Sequence, residues 1–451
     1  MIQLFLLHSP YGLMTAAAAI DEGLLGGAAQ RILVPTNTAA VPETAHDVAT
    51  LRRLAPLRAR FDRVEPLDAL IGPRHPTRWE PDEQDLPMLE RLLRRAWGLG
   101  DAPLELFVQS PQVAPARTLM ALFRDARIGV IGDGLMTYAP IRARLPRQVA
   151  ERVTRVVHAD VVAGVEPLVF AQTGARSVPL PPAAFGAVLR QAGEAVPDPS
   201  LEALAAEPAR TALVVGQYLS ALGLVPLAEE RAMQVEMIDR AADAGVERAV
   251  FAPHPSAPPA LTAALAARAR ERGIGFAVLS GDVPAEHVAE RLGATDVVAG
   301  FSTVLPTVRT LYGTRVHAVG TRRILAGLRP YQNSNRMPAT IVDAMVRAEY
   351  AAPARMRRLV DAVGYAMQPQ IMAHLRQPAV EFLGSLPPDE RERYVPAQRL
   401  CRLGLPGAPA PTRLQRLGDS SGGVGRLEEL RLTVAGVRRR AGRVWKAARG
   451  R

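Results

Sequence analysis

The sequence predicts an α/β protein built from two Rossmann-like units with a helical C-terminal extension. Three observations carry this. Short apolar runs alternate with helical patterns through residues 1–150, the signature of a mostly parallel sheet. The alternation returns more cleanly over residues 211–320, with five strands and helical crossovers. At 451 residues, with 48% hydrophobic and 22% charged side chains, the chain is a folded protein too long for one ordinary core.

In the first unit, strands are expected at Ile2–Leu7, Arg31–Pro35, Phe61–Glu65, Leu104–Gln109, Arg127–Ile131 and Val156–Gly164. Helices are expected at Pro10–Gly23, which carries a glycine stop, around Glu43–Leu57, and at Asp85–Trp97 and Ala114–Arg124. The stretch Pro179–Pro208 is rich in Pro and Ala without a strong period and reads as the connection between units. In the second unit the strands are Thr211–Val215, Arg248–Ala252, Gly275–Leu279, Asp296–Ala299 and Arg315–Val319. Helices Leu227–Ala244, Pro258–Arg272, Pro284–Leu292 and Thr303–Leu311 lie between them. Helical patterns follow at Ala339–Tyr350, Pro353–Met367 and Pro369–Leu375. The expected division is 1–178, a connection at 179–210, a second domain at 211–330, a helical extension at 331–400, and a linker with a basic tail at 401–451. In that tail, Leu427, Leu430, Val434, Val437, Ala441, Val444 and Ala448 recur on one face of a basic amphipathic helix.

Composition narrows the function. The one cysteine, Cys401, excludes an internal disulfide and any cysteine-rich metal site. The amino terminus lacks a basic region, and its apolar run stops at Ser9-Pro10, unlike a signal peptide. No run of eighteen apolar residues suggests a membrane span. A cytoplasmic protein is expected, peripheral at the membrane's inner face if the tail binds there. The net charge of +11 is concentrated in the tail. From Arg402 to Arg451 there are 12 Lys+Arg and 3 Asp+Glu, which gives +9 and leaves the rest near +2. A nearly neutral body with 5% aromatic residues offers no stacking platform and argues against nucleic acid.

Chemistry is expected at strand ends, because ligands of open α/β sheets bind beyond the carboxyl ends of the strands. Phe251-Ala252-Pro253-His254-Pro255 ends one strand of the second unit, and the run ending Gly300-Phe301-Ser302-Thr303 ends another. Pro255 holds His254 extended, where an imidazole could meet a phosphate and protonate a departing oxygen. A loop histidine without function is the plain alternative. Ser302 and Thr303 stand where they can cap a helix and form an anion site with its free N–H groups; plain caps are the commoner case. Gly216-Gln217 ends a third strand, where backbone N–H could meet a base or ribose. In the first unit Asp133 lies between Gly132 and Gly134 at a strand end. It could serve as general base for an incoming hydroxyl or be an ordinary Asp-Gly turn. Ser9, within His8-Ser9-Pro10-Tyr11-Gly12, could line the same cleft. The crevice is read as holding a nucleotide phosphate. There is no P-loop, no GxGxxG, no HExxH and no Asp-x-Asp pair, so neither a cofactor nor a metal ion is expected.

Together Gly132-Asp133-Gly134, His254-Pro255 and Ser302-Thr303 resemble the D/E-D/E-G motif, the HP motif and the hydroxyl pair of the bacterial alpha-2,8-polysialyltransferase family and related sialyltransferases. Ser9-Pro10 followed by an alanine-rich helix ending in Ile20-Asp21 is similar too. The resemblance spans roughly residues 1–330. It implies a GT-B architecture, with a CMP-activated sialic acid or related keto-acid sugar on the second domain. It implies Asp133 as base, His254 at the phosphate and as general acid, and Ser302 and Thr303 on the same phosphate. It also implies inversion without a metal and a glycan or lipid-linked glycan acceptor. The first acidic position of the motif is Gly132 here, and a base carried there would be missing. Two alternatives follow. One is a CDP-glycerol-type glycerophosphotransferase, with a base such as His8. The other is an inactive nucleotide-sugar-binding homologue.

Overall fold

The computed structural model describes residues 1–39, 47–254, 259–279 and 281–408. Its chain divides into a unit of residues 1–395 and a second from 396 onward. The latter, within its described part, contributes the helix Ala397–Leu403.

The larger unit holds two parallel sheets. The first comprises β1 (Ile2–Leu7), β2 (Gln30–Pro35), β3 (Arg63–Val64), β4 (Leu104–Val108), β5 (Arg127–Ile131), β6 (Val153–Ala159) and β7 (Arg176–Leu180), in the order β3-β2-β1-β4-β5-β6-β7. The second comprises β8 (Thr211–Val215), β9 (Arg248–Ala252), β10 (Gly275–Val278), β11 (Asp296–Ala299) and β12 (Arg315–Ala318), in the order β10-β9-β8-β11-β12. Each order reverses direction beside its first strand, between β1 and β4 and between β8 and β11. These are the topological switch points at which open α/β sheets bind ligands. The predicted architecture, two Rossmann-like sheets in a GT-B-like arrangement with helices after them, is the one observed.

The central strands are mostly apolar because helices cover both faces. All six residues of β1 are buried. Phe5 stacks on Phe107 of β4 at 4.6 Å and meets Phe61 edge-on at 5.1 Å. Gln3 and Glu105, polar but fully buried, satisfy each other at 3.0 Å, and Arg155 of β6 neutralises the glutamate. The second core gathers Val214, Met237, Ile238, Phe251, Leu265 and Val298.

Several local expectations need correction. The segment 179–208 is not irregular: it forms helices Pro182–Glu194 and Pro199–Ala206. Prolines at the first helical position suit the helix start, and Phe185, Val188, Leu189 and Ala192 are buried on one face. Helix Pro182–Glu194 packs on helix Pro10–Asp21 of the first sheet and on helices Ala285–Arg291 and Val304–Tyr312 of the second. The connection is therefore part of the core between the sheets. The helix expected around Glu43–Leu57 is shorter: within the described residues there is a 3-10 turn, Arg52–Leu54, and one helical turn, Ala55–Arg58. The last expected helix is displaced, with a 3-10 turn at Ala373–Leu375 leading into Arg376–Ser385. Strand β7 straddles the expected boundary at 178. The basic helical face at Leu427–Ala448 lies outside the described residues.

Helix Arg336–Met345 of the extension packs against the 3-10 turn Gly134–Tyr138 that follows Asp133. Its anchor is Arg336, fully buried, which donates to the carbonyls of Tyr331, Leu325 and Leu328.

Candidate active site

The strand ends of the two sheets enclose a cavity of about 520 Å³. Ser9 and Asp133 line it from the first sheet, and Gly216, Gln217, His254 and Ser302 from the second. Six candidates separated by up to 293 positions in sequence thus line one cavity. Pro255 lies outside the described residues.

Asp133 is held tightly. Gln109, 1% exposed at the end of β4, donates through Nε2 to Asp133 Oδ1 at 3.0 Å and to Ser9 Oγ at 2.6 Å. The Gln109 Oε1 accepts from the backbone N–H of His8 at 3.1 Å and of Ser9 at 3.3 Å. Ser9 Oγ caps helix Pro10–Asp21 by accepting from Gly12 N at 3.1 Å, and it lies 3.5 Å from Asp133 Oδ1. The Asp133 backbone N–H donates to Thr137 Oγ1 at 2.7 Å. One carboxylate oxygen is thereby oriented by the ends of β1 and β4.

The two flanking glycines have different reasons. A Cβ at position 132 would stand 2.9 Å from Thr137 Oγ1, 3.0 Å from His158 Cβ and 3.1 Å from the Val157 carbonyl. No acidic side chain fits there without displacing β6. Gly134 has φ +54°, and a Cβ on it would meet Thr303 Oγ1 at 2.5 Å, so glycine answers both the left-handed backbone and the close approach of the second sheet. Thr303 Oγ1 accepts from Leu135 N at 3.2 Å. Thr303 and Gly134 are therefore brought together as a contact joining the two sheets, beside the cavity and not on its lining.

On the second sheet, Ser302 Oγ accepts from Val304 N at 3.2 Å at the start of helix Val304–Tyr312. Gln217 Oε1 accepts from Phe301 N at 2.9 Å and fills the space above Gly300. Gly216 keeps room for Phe251, whose ring would lie 2.9 Å from an added Cβ. His254 is exposed, its ring 6.4 Å from that of Tyr218.

Gln109, Glu286 and the pair Arg53–Asp282 are not among the residues the sequence singles out, whereas Tyr11 belongs to the stretch His8-Ser9-Pro10-Tyr11-Gly12 expected to line the cleft. Tyr11 lines the cavity with a buried hydroxyl that has no hydrogen-bond partner among the described residues, and burial raises its pKa. Glu286, 7% exposed on the opposite wall, has its carboxyl pKa raised by burial. Arg53 pairs with Asp282 at 2.7 Å and donates to the carbonyls of Gly193 and Val196. A polar residue directly closing an apolar strand was the available signal for Gln109; Glu286 and the Arg53–Asp282 pair had none.

Asp133 also borders a second cavity of about 570 Å³, on the first-sheet side, lined by Arg117, Arg142 and Arg144. His8 lies apart from both. Its Nε2 is 2.9 Å from Ser110 Oγ, it faces a separate cavity of about 230 Å³, and burial lowers its pKa although Asp133 opposes that shift. Among the described residues no three His, Cys, Asp or Glu side chains gather as a metal site.

The family model described as alpha-2,8-polysialyltransferase (POLYST) matches residues 3–321, most of the chain and both sheets. The chain belongs to the alpha-2,8-polysialyltransferase family. It is a glycosyltransferase. No curated protein matches its sequence. Similar solved structures include a glycosyltransferase from Rickettsia africae ESF-5, 8% identical, covering 85% of this chain and 99% of that one, with a TM-score of 0.38. A UDP-glucosyltransferase from Polygonum tinctorium is 13% identical over 89% of this chain and 98% of that one, with a TM-score of 0.43. The heptosyltransferase WaaC from E. coli is 14% identical over 70% and 87%, with a TM-score of 0.31. At these scores the likeness adds nothing to the fold read from the two sheets.

Proposed function

We propose that this polysialyltransferase-family enzyme transfers a sialic acid, or a related keto-acid sugar, from a CMP donor to a glycan hydroxyl with inversion. The observation that carries the reading is the 520 Å³ cavity, in which Asp133 of one sheet faces Gly216, His254 and Ser302 of the other. The CMP phosphate lies by His254, the Ser302 hydroxyl and the N-terminus of helix Val304–Tyr312; the N–H groups of Val304 and Leu305 are taken by Ser302 and position 306 is proline, so the helix contributes its positive dipole end and not free donors. The acceptor enters from the 570 Å³ cavity on the other side of Asp133.

Asp133 takes the proton of the acceptor hydroxyl as its oxygen attacks the anomeric carbon. The bond from that carbon to the phosphate oxygen breaks, and CMP leaves with the electron pair. His254 donates a proton to the departing oxygen. Gln109 and Ser9 keep the carboxylate aimed, and general-base assistance of this kind supplies roughly 10²–10⁴ in rate. No metal ion is invoked. Gly132 in place of an acidic residue is compatible with activity in this reading, because the base is the second motif position. Contact with a membrane surface through the basic tail belongs to the same reading, with a lipid-linked acceptor.

Calorimetric titration of CMP, with CDP, UDP and GDP as controls, tests the donor assignment on the whole chain and on His254→Ala. CMP binding that is lost in the variant supports it. Preference for CDP moves the reading to a glycerophosphotransferase, whose candidate base His8 lines a separate cavity. No nucleotide binding at all sinks the transferase mechanism.

A further inference from the structure

A basic cavity lies away from the cleft. A cavity of about 700 Å³ runs along β12, the edge strand of the second sheet, and is lined by Arg240, Arg309, Arg315, Arg347 and His317, with no acidic side chain among the described lining residues. Some of this charge is answered from behind. Buried Asp296 takes both Arg315 and His317 at 2.8 Å, and Arg347 reaches Glu390 at 3.1 Å. Arg240 and Arg309 have no carboxylate partner among the described residues; Arg309 donates to the Met345 carbonyl, and both side chains are exposed. Two guanidinium groups thus face an open cavity without a counter-charge.

This cavity borders a second one of opposite chemistry. Arg309, Met345 and Ala351 line both it and an apolar pocket of about 310 Å³, whose walls include Val161, Val162, Pro306, Ile341 and Met356. Val346, 40% exposed, adds an apolar lip to the basic side. A free anion would use only the first cavity and an apolar ligand only the second. A molecule with an anionic head and a hydrocarbon chain uses both, with Arg309 at the junction.

We propose that the two cavities form one binding site for a phosphate-headed lipid. The phosphate lies between Arg240 and Arg309, which can grip it through charge-assisted, forked hydrogen bonds. The start of one chain enters the pocket at Val162 and Met356, where each buried methylene strengthens binding roughly fourfold. The site is independent of the nucleotide cavity, and its occupancy tethers the second sheet to a membrane surface or to a lipid-borne substrate.

The test uses the full chain and soluble dioctanoyl phosphatidylglycerol below its micelle concentration, followed by calorimetry. Glycerol 3-phosphate and dioctanoyl phosphatidylcholine are the controls. The lipid should bind at least about tenfold more tightly than either control. Arg240→Gln, an exposed change, should weaken it by about tenfold, the size of one charge-assisted contact. Ala351→Trp, which fills the shared rim, should weaken it comparably while leaving glycerol 3-phosphate unaffected. Melting temperatures within a few degrees of the unmodified chain certify both folds. Equal binding of glycerol 3-phosphate overturns the lipid assignment in favour of a plain anion site. Equal binding of the phosphatidylcholine overturns the role of the arginines. Lipid binding unchanged in both variants places it elsewhere, the basic tail included, and overturns the site.

Discussion

The two walls of the cleft are built differently. On the first sheet, Asp133 is fixed by Gln109, Ser9 and Thr137, each itself anchored at a strand end or a turn. On the second, His254 is exposed at the end of β9, and Ser302 and Gln217 spend their side chains shaping the loop after β11. A base must stand within hydrogen-bond reach of one proton, and a preorganised carboxylate serves that need. A phosphate needs several converging donors and tolerates a looser frame. The contrast teaches that the carboxylate is positioned chiefly from the first sheet, whereas the second wall leaves its exposed histidine less constrained, as the proposed nucleotide site would allow.

Asp133→Asn is the sharpest way to break that account. The amide keeps the size of the carboxylate and removes its basicity. Transfer should fall by about 10²–10⁴, with CMP affinity and melting temperature little changed. A rate within tenfold of the unmodified enzyme would remove Asp133 from its role. His254→Ala should act in the complementary way. CMP affinity should drop about ten- to a hundredfold, the range of one or two charge-assisted hydrogen bonds, and the fold should be unaffected because the side chain is exposed. If the loss appears only in the rate and not in binding, His254 acts on the leaving group alone.

Gly132→Asp asks whether the family's first acidic position can be restored. The added Cβ falls within 3.1 Å of three atoms, one of them the Val157 backbone carbonyl. Overpacking with a half-buried carboxylate should cost about 2–3 kcal/mol of stability and lower the rate by shifting the Asp133 backbone. A variant as stable as the parent and more active would show that the glycine is a lesion. The geometry argues the reverse: the space at position 132 is closed to a side chain by Thr137, His158 and the Val157 carbonyl, and the carboxylate that lines the cavity stands at position 133.

How far the sequence could be read follows from the same contrast. The strand ends were legible because short apolar runs stop at Gly, Pro, Ser or Asp, which have local reasons to stop a strand. Asp133, His254 and Ser302 could be named on that basis. Glu286 and the Arg53–Asp282 pair could not, and Gln109 showed only as a polar strand end, because what these residues touch depends on which strands become neighbours, and only the sheet order decides that. Helix Pro182–Glu194 was hidden by its alanines and prolines, although Phe185, Val188, Leu189 and Ala192 already stood at helical spacing. The pairing of Gly134 with Thr303 joins positions 169 apart and leaves no trace in either local pattern.

The smallest effect should come from acid. His8 and His158 flank the Asp133 seat, and burial lowers the pKa of both. His158 is 3% exposed, with Nε2 3.0 Å from Ser177 Oγ and its ring 6.1 Å from that of Tyr138. A histidine whose folded pKa lies below its ordinary value of 6.5 binds its proton more readily when unfolded. Its contribution to stability is complete above that value and is lost as pH falls through it towards the folded pKa. Asp296 and Asp343, whose pKa values hydrogen-bonded partners hold down, lose theirs only in a more acidic window, below the ordinary 3.8. Glu286, raised by burial from 4.5, works oppositely and favours the fold as pH falls. Between pH 7.5 and 5.5 the histidines should dominate, and stability should decline. His158→Gln removes the titration and keeps a polar group for Ser177, so its decline over the same interval should be shallower than the parent's in paired thermal melts. Equal slopes would mean that the seat of Asp133 is not where acid is felt, and that the first wall owes its rigidity to Gln109 and Thr137 alone.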